Sequence, residues 1–296
     1  MYFGLIRVAH PESEKQRKPA SRENLLRSLG VLLVLALLIG LHVGVNAWWL
    51  QQDRHSIVGD EAVHMAVARA YYTDLALDAG RPVLERIFGI VTHDNPAGPI
   101  LHLCGAAAVA VFGYSVDALA AANTFWFALL ILGLYLVARH LLDQGWALLV
   151  AAIGAFTPVI FAASRSFMPD FAATAALVWA VYCLLHSGGF RDTGWVFLFA
   201  LVTAIGLLIR PVSMLCCVGP VAAVVVAGAF ECLRAEHGDE AGPGYRTLLL
   251  NVLLAAVVVA GLAAPWYLLE LRQQYTETAQ AAASSATTAA ASVLPG

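Results

Sequence analysis

The chain has 296 residues, of which 60% are hydrophobic and 12% charged. Its mean hydropathy of +0.75 excludes an ordinary soluble domain. The net charge of -3 names no partner class, and no basic stripe interleaved with aromatics occurs, which argues against nucleic-acid binding.

Residues 1–25 form a basic tail with Arg7, Lys15, Arg17, Lys18 and Arg22, continued by Arg27, which places the N-terminus in the cytoplasm. The apolar run that follows, 26–50, is too long for a cleaved signal peptide, and no small-residue cleavage site follows it, so it reads as a retained span. Further runs at 116–137, 145–163, 168–187, 195–209, 212–231 and 247–270 give about seven transmembrane helices. The fold class is therefore all-α, a polytopic membrane protein, with interfacial helices in its first outer loop. His42 and Asn46, four apart in the first run, read as helix–helix hydrogen-bonding residues. The five cysteines, Cys104, Cys183, Cys216, Cys217 and Cys232, lack metal-ligand spacing and read as small core residues.

The first outer loop, 51–115, holds Asp53, Asp60, Glu61, Asp74, Asp78, Glu85 and Asp94. Within it, 61–73 reads as a helix and 80–99 as a loop containing Pro82, Pro96 and Pro99. The stretch 97–113 sets the topology. If it spans, Asp60 and Asp170 fall on opposite faces; if it lies flat, both face outside. The flat reading groups Arg139, Arg191, Arg234 and Arg246 with the basic tail and is preferred. Residues 271–296 carry an Ala/Ser/Thr-rich tract with little to pack, expected to be disordered, and the chain looks like a short or truncated product.

Gly59-Asp60-Glu61 is the most telling motif, because acids at the rim of a membrane protein stay ionised in water while facing lipid-held substrate. The plainer reading makes Asp60 the N-cap of the following helix. Asp170, which opens a helix, carries the same ambiguity, with a second role in orienting Arg165 or an acceptor. Arg165 and Arg210 stand at outer span ends, where a guanidinium either clamps phosphate or snorkels to the headgroups. Glu61 and His64 make one Glu-x-x-His, half of a metal site, so these two are only weak metal candidates. The reading takes no cofactor, and a divalent metal is the less favoured alternative.

The order of these motifs resembles the GT-C glycosyltransferases, in particular bacterial aminoarabinose transferases of lipid A and relatives of the dolichyl-phosphate-mannose–protein mannosyltransferases. The resemblance covers 26–270. It rests on Gly59-Asp60-Glu61-Ala62-Val63-His64, the looser His93-Asp94-Asn95-Pro96-Ala97-Gly98-Pro99-Ile100, and Val111-Phe112-Gly113. It continues through the segment from Pro158 to Asp170, then Leu207-Leu208-Ile209-Arg210-Pro211 and Ala264-Pro265-Trp266-Tyr267. The resemblance implies that 97–113 is an interfacial helix. It also implies sugar transfer from a polyprenyl-phosphate donor to a lipid, glycan or protein acceptor, at the outer face of a bacterial inner membrane.

In that scheme Asp60, Glu61 and Asp170 are catalytic, Asp60 serving as base, while Arg165, Arg210 and His93 hold the donor phosphate. An apolar bundle supplies the groove for the prenyl chain, and the remaining partners are membrane lipids. The alternatives are a non-catalytic or partner-dependent donor-binding remnant, or a transporter of lipid-linked substrates. Transport is disfavoured because the acids cluster at helix ends rather than at the bilayer midplane.

Overall fold

The computed structural model describes residues 22–53, 59–77, 80–92, 98–235 and 245–293. Among these residues there is helix and no strand. In chain order the α-helices are α1 (Arg22–Gln52), α2 (Asp60–Tyr72), α3 (Val83–Thr92), α4 (Pro99–Phe112), α5 (Val116–Ala121), α6 (Asn123–Leu141) and α7 (Gln144–Phe156). They are followed by α8 (Pro158–Ala163), α9 (Pro169–His186), α10 (Thr193–Leu207), α11 (Pro211–Met214), α12 (Val218–Ala235) and α13 (Tyr245–Val293).

Local chemistry sets most of these boundaries. Ser115 Oγ accepts the Ala118 N–H at 3.0 Å and starts α5, and Asp192 Oδ1 accepts the Trp195 N–H at 3.1 Å and starts α10. Pro99, Pro158, Pro169 and Pro211 each occupy a first helical turn, where their missing N–H is harmless. Pro158 also splits the expected run 145–163 into α7 and α8.

Five helical stretches are long and apolar enough to cross a membrane: 24–52, 116–141, 169–186, 211–230 and 245–276. They make this an all-α polytopic membrane protein. The helices α7 and α10, also expected as spans, are shorter. At 1.5 Å per residue they reach about 20 and 23 Å, against a hydrocarbon core of about 30 Å.

The centre of the bundle is α9, packed between α6 and α10, with α13 on the far side of α10. Its inner surface is alanine: Ala172, Ala173, Ala175, Ala176 and Ala180 are all buried. Small side chains let neighbouring backbones approach closely where lipid gives no hydrophobic drive to helix association. On α1, by contrast, Leu25, Leu29, Leu32, Leu33 and Leu37 are exposed, an apolar surface suited to lipid.

Two readings of the sequence change. The stretch 80–99, expected as a loop, contains α3, because its prolines flank rather than interrupt an amphipathic run. The tract after 271, expected to be disordered, continues α13 as helix to Val293, consistent with the high helix propensity of alanine.

The placement of α4 decides where the site lies. Gly98 rests against the end of α10, where a Cβ would stand 1.9 Å from the Leu208 carbonyl oxygen, and Ile100 N donates to that same oxygen at 3.3 Å. Midway along, Gly105 packs against Phe167, just before α9, and against Leu119 in α5. The helix therefore meets the C-terminal end of α10, the approach to α9 and the lead-in to α6. Those three lie at one end of the bundle, where α6 and α9 start and α10 finishes, and both the start and the middle of α4 meet it, so α4 lies across that end.

Candidate functional site

Of the site candidates, Glu61, Arg165, Asp170 and Arg210 gather at this same end, with Asp60 beside Glu61. The Glu61 Oε1 atom accepts the Phe167 N–H at 2.7 Å, joining the start of α2 to the turn before α9. Asp170, in the first turn of α9, pairs with Arg210, which follows α10. Arg165 Nε donates to Asn46 Oδ1 of α1 at 3.0 Å, and Asn46 Nδ2 donates to Ser164 Oγ at 2.8 Å. His42 Nε2 lies 2.8 Å from the same hydroxyl. Tyr267 OH donates to the Leu207 carbonyl, which brings the Pro265-Trp266-Tyr267 segment of α13 to this end as well.

Neither leading carboxylate caps its helix. The N-cap of α2 is Gly59, at φ 71°, and no side chain caps that end, so Asp60 is an exposed first-turn residue. The N-cap of α9 is Met168, again without a side-chain bond. Both acids still favour the positive end of a helix dipole. Asp170 was expected to orient Arg165 or an acceptor; its partner in the structure is Arg210. Side-chain exposures of 38% for Arg210 and 56% for Asp170 leave the guanidinium room for a further anion.

Arg165 has different surroundings. Its guanidinium lies over the Trp49 ring at 4.4 Å and the Phe161 ring at 4.7 Å. It borders a cleft of about 310 Å³ lined also by Asp53, Glu61, Asp117 and Ser166. Neither Asp170 nor Arg210 lines that cleft. Beyond Arg210, a second, apolar groove of about 510 Å³ runs between α10 and α12, lined by Phe199, Leu207, Pro211, Met214, Val221 and Val225 among others. The two arginines expected to act together are thus apart: Arg165 lines the cleft, while Arg210 lines neither space and precedes Pro211 of the groove.

The metal candidates do not converge. Glu61 turns to the Phe167 N–H, whereas His64 Nδ1 faces His102 Nε2 at 3.1 Å. No cluster of three or more His, Cys, Asp or Glu suited to a metal occurs among the described residues. His93 lies outside the described residues.

Reading the sequence missed His102, Trp49 and Asp117. A histidine within an apolar helix and a Trp-Trp pair at a span end were visible signals. Asp117 carried none, since it looks like any first-turn acid.

Residues 94–237, just under half of the chain, match the family model for dolichyl-phosphate-mannose-protein mannosyltransferase. The match spans α4 to α12 and includes Arg165, Asp170 and Arg210, while Asp60 and Glu61 precede it. No curated protein and no solved structure matches the chain.

Proposed function

We propose, on the premise that this chain is a membrane glycosyltransferase of GT-C type, that it moves a sugar from a polyprenyl-phosphate donor to an acceptor hydroxyl. The acceptor is a lipid, a glycan or a protein, and the reaction takes place at the extracytoplasmic face of a bacterial inner membrane. One observation carries the reading. Carboxylates and guanidinium groups from α2, α9 and the segments before α9 and after α10 meet at one end of the bundle, with an apolar groove opening beside Arg210.

The parts divide naturally. The groove suits a prenyl chain, and Arg210, held by Asp170, meets the donor phosphate. A phosphate leaves as a stable anion, so a fixed cation at the leaving oxygen can replace a general acid. The cleft around Arg165 and Trp49 suits the acceptor, since an aromatic face and several carboxylates match a sugar's apolar face and its hydroxyls. Asp60, exposed and free of capping duty, is the base that takes the acceptor proton.

The test is transfer from labelled polyprenyl-phosphate sugars by the purified full chain in detergent, beside donor binding. Binding and transfer together support the reading. Binding without transfer favours a donor-binding module, and neither overturns both.

A further inference from the structure

Asp60 and His64 stand one turn apart on α2, and His64 in turn meets His102 of α4. The geometry fixes the protons of this pair. The Gly98 carbonyl, 3.2 Å from His102 Nδ1, can only accept, so that nitrogen carries hydrogen. A neutral His102 then offers Nε2 as an acceptor, and His64 donates its Nδ1–H to it across 3.1 Å. This leaves His64 Nε2 with a lone pair. His64 is 7% exposed, yet Nε2 is not among the enclosed polar atoms that lack a partner.

The surroundings suit a group that gains charge briefly. Burial holds His64 below the ordinary histidine value, and Asp60, Asp170 and Glu61 oppose that fall while Arg210 adds to it. His102 is pushed down to about 4, by burial first and His64 second, against its bond to Gly98. Tyr71 and Phe167 meet its ring edge-on. Two apolar side chains would fill this space at lower desolvation cost, so a hydrogen-bonded pair of imidazoles, its rings tilted by 36° with centroids 5.2 Å apart, calls for a chemical reason.

We infer that His64 is the proton exit of the transfer reaction, and that His102 is the positioning residue that keeps His64 in the working tautomer. The inference rests on the function proposed above. The acceptor oxygen forms a bond to the anomeric carbon, and the bond from that carbon to the phosphate oxygen breaks, its electron pair leaving with the lipid phosphate. The hydroxyl proton passes to the Asp60 carboxylate and from there to His64 Nε2. The imidazolium formed is stabilised by Asp60, ionised again, with Glu61 and Asp170, until water removes the proton.

The full chain in lipid nanodiscs, supplied with a labelled polyprenyl-phosphate sugar, tests this. His64→Gln is expected to lower kcat about 10²-fold, the low end for a proton-transfer group, with donor binding unchanged. His102→Leu should match it, whereas His102→Gln, whose amide oxygen accepts the His64 Nδ1–H, should restore most of the rate. Because His64 works neutral, wild-type kcat falls on acidification through its lowered pKa, and that limb disappears in His64→Gln. Nitrogen-15 NMR of histidine-labelled protein, assigned by difference from His64→Gln, should show hydrogen on Nδ1 of His64. Wild-type kcat in His64→Gln beside an inactive Asp60→Asn, or hydrogen on Nε2 of His64, overturns the relay alone. A wild-type chain that transfers nothing overturns the functional reading and the relay together.

Discussion

Glu61 accepts the backbone N–H of Phe167 at 2.7 Å, a bond between residues 106 positions apart. It places the start of α2 against the turn that precedes the central helix. Through it Asp60, one residue earlier, is set at the same end of the bundle as Arg165 and Asp170. The acid that carries this geometry is therefore the neighbour of the acid proposed to act as base.

That division of labour separates two substitutions. Glu61→Gln keeps an acceptor oxygen for the Phe167 N–H and should leave the thermal midpoint near wild type, with only a small loss of transfer rate from the missing charge near His64. Glu61→Ala strands the N–H of the buried Phe167, at a cost of about 1–3 kcal/mol, and should lower both. Equal loss of activity in the two variants, with the midpoint kept in Glu61→Gln, would make Glu61 itself chemically active.

For Asp60 the expectation is the reverse. Gly59 is the N-cap and Asp60 makes no capping bond, so Asp60→Asn should leave stability and donor binding intact. Transfer should fall about 10²–10⁴-fold, the usual worth of a general base. Near wild-type turnover would remove Asp60 from the mechanism.

The arginines should differ in kind. Arg210→Gln is expected to raise the donor Kd tenfold or more, since the phosphate is charged before and after transfer, and Asp170→Asn should follow it to a smaller degree. Arg165→Gln should raise the acceptor KM instead, because Arg165 borders the cleft with Trp49. Equal weakening of donor binding by both would return the two arginines to one phosphate site.

Gly98→Ala tests the seat of α4. The added Cβ would meet backbone, the Leu208 carbonyl, at 1.9 Å, so no side-chain rotation relieves it. Overpacking of this kind costs about 1–3 kcal/mol. The variant should be less stable in detergent and should displace His102 from His64, seen as a change in the histidine NMR signals. An unchanged midpoint with unchanged signals would mean that α4 is not held at Leu208.

Topology has its own measurement. In a cysteine-free background, single cysteines at positions 60, 170, 210 and 266 should react with an impermeant maleimide from the extracytoplasmic side, and those at 143 and 192 should not. Labelling at 60 with protection at 170 would break the shared site.

The sequence by itself determined the membrane class, the helical fold and the position of most helices, because runs of apolar residues have one stable state in lipid. It also marked Asp60, Asp170, Arg165 and Arg210, since charges are few in a chain that is only 12% charged. It did not determine their partners. That Asp170 holds Arg210 and that Arg165 leans on Trp49 and Asn46 depends on which helix ends sit side by side. The pairing of His64 with His102 likewise exists only because α4 is laid across the bundle, with Gly98 against Leu208 and Gly105 against Phe167. Hydropathy records how far a segment prefers lipid to water; close packing between distant segments decides which side chains meet.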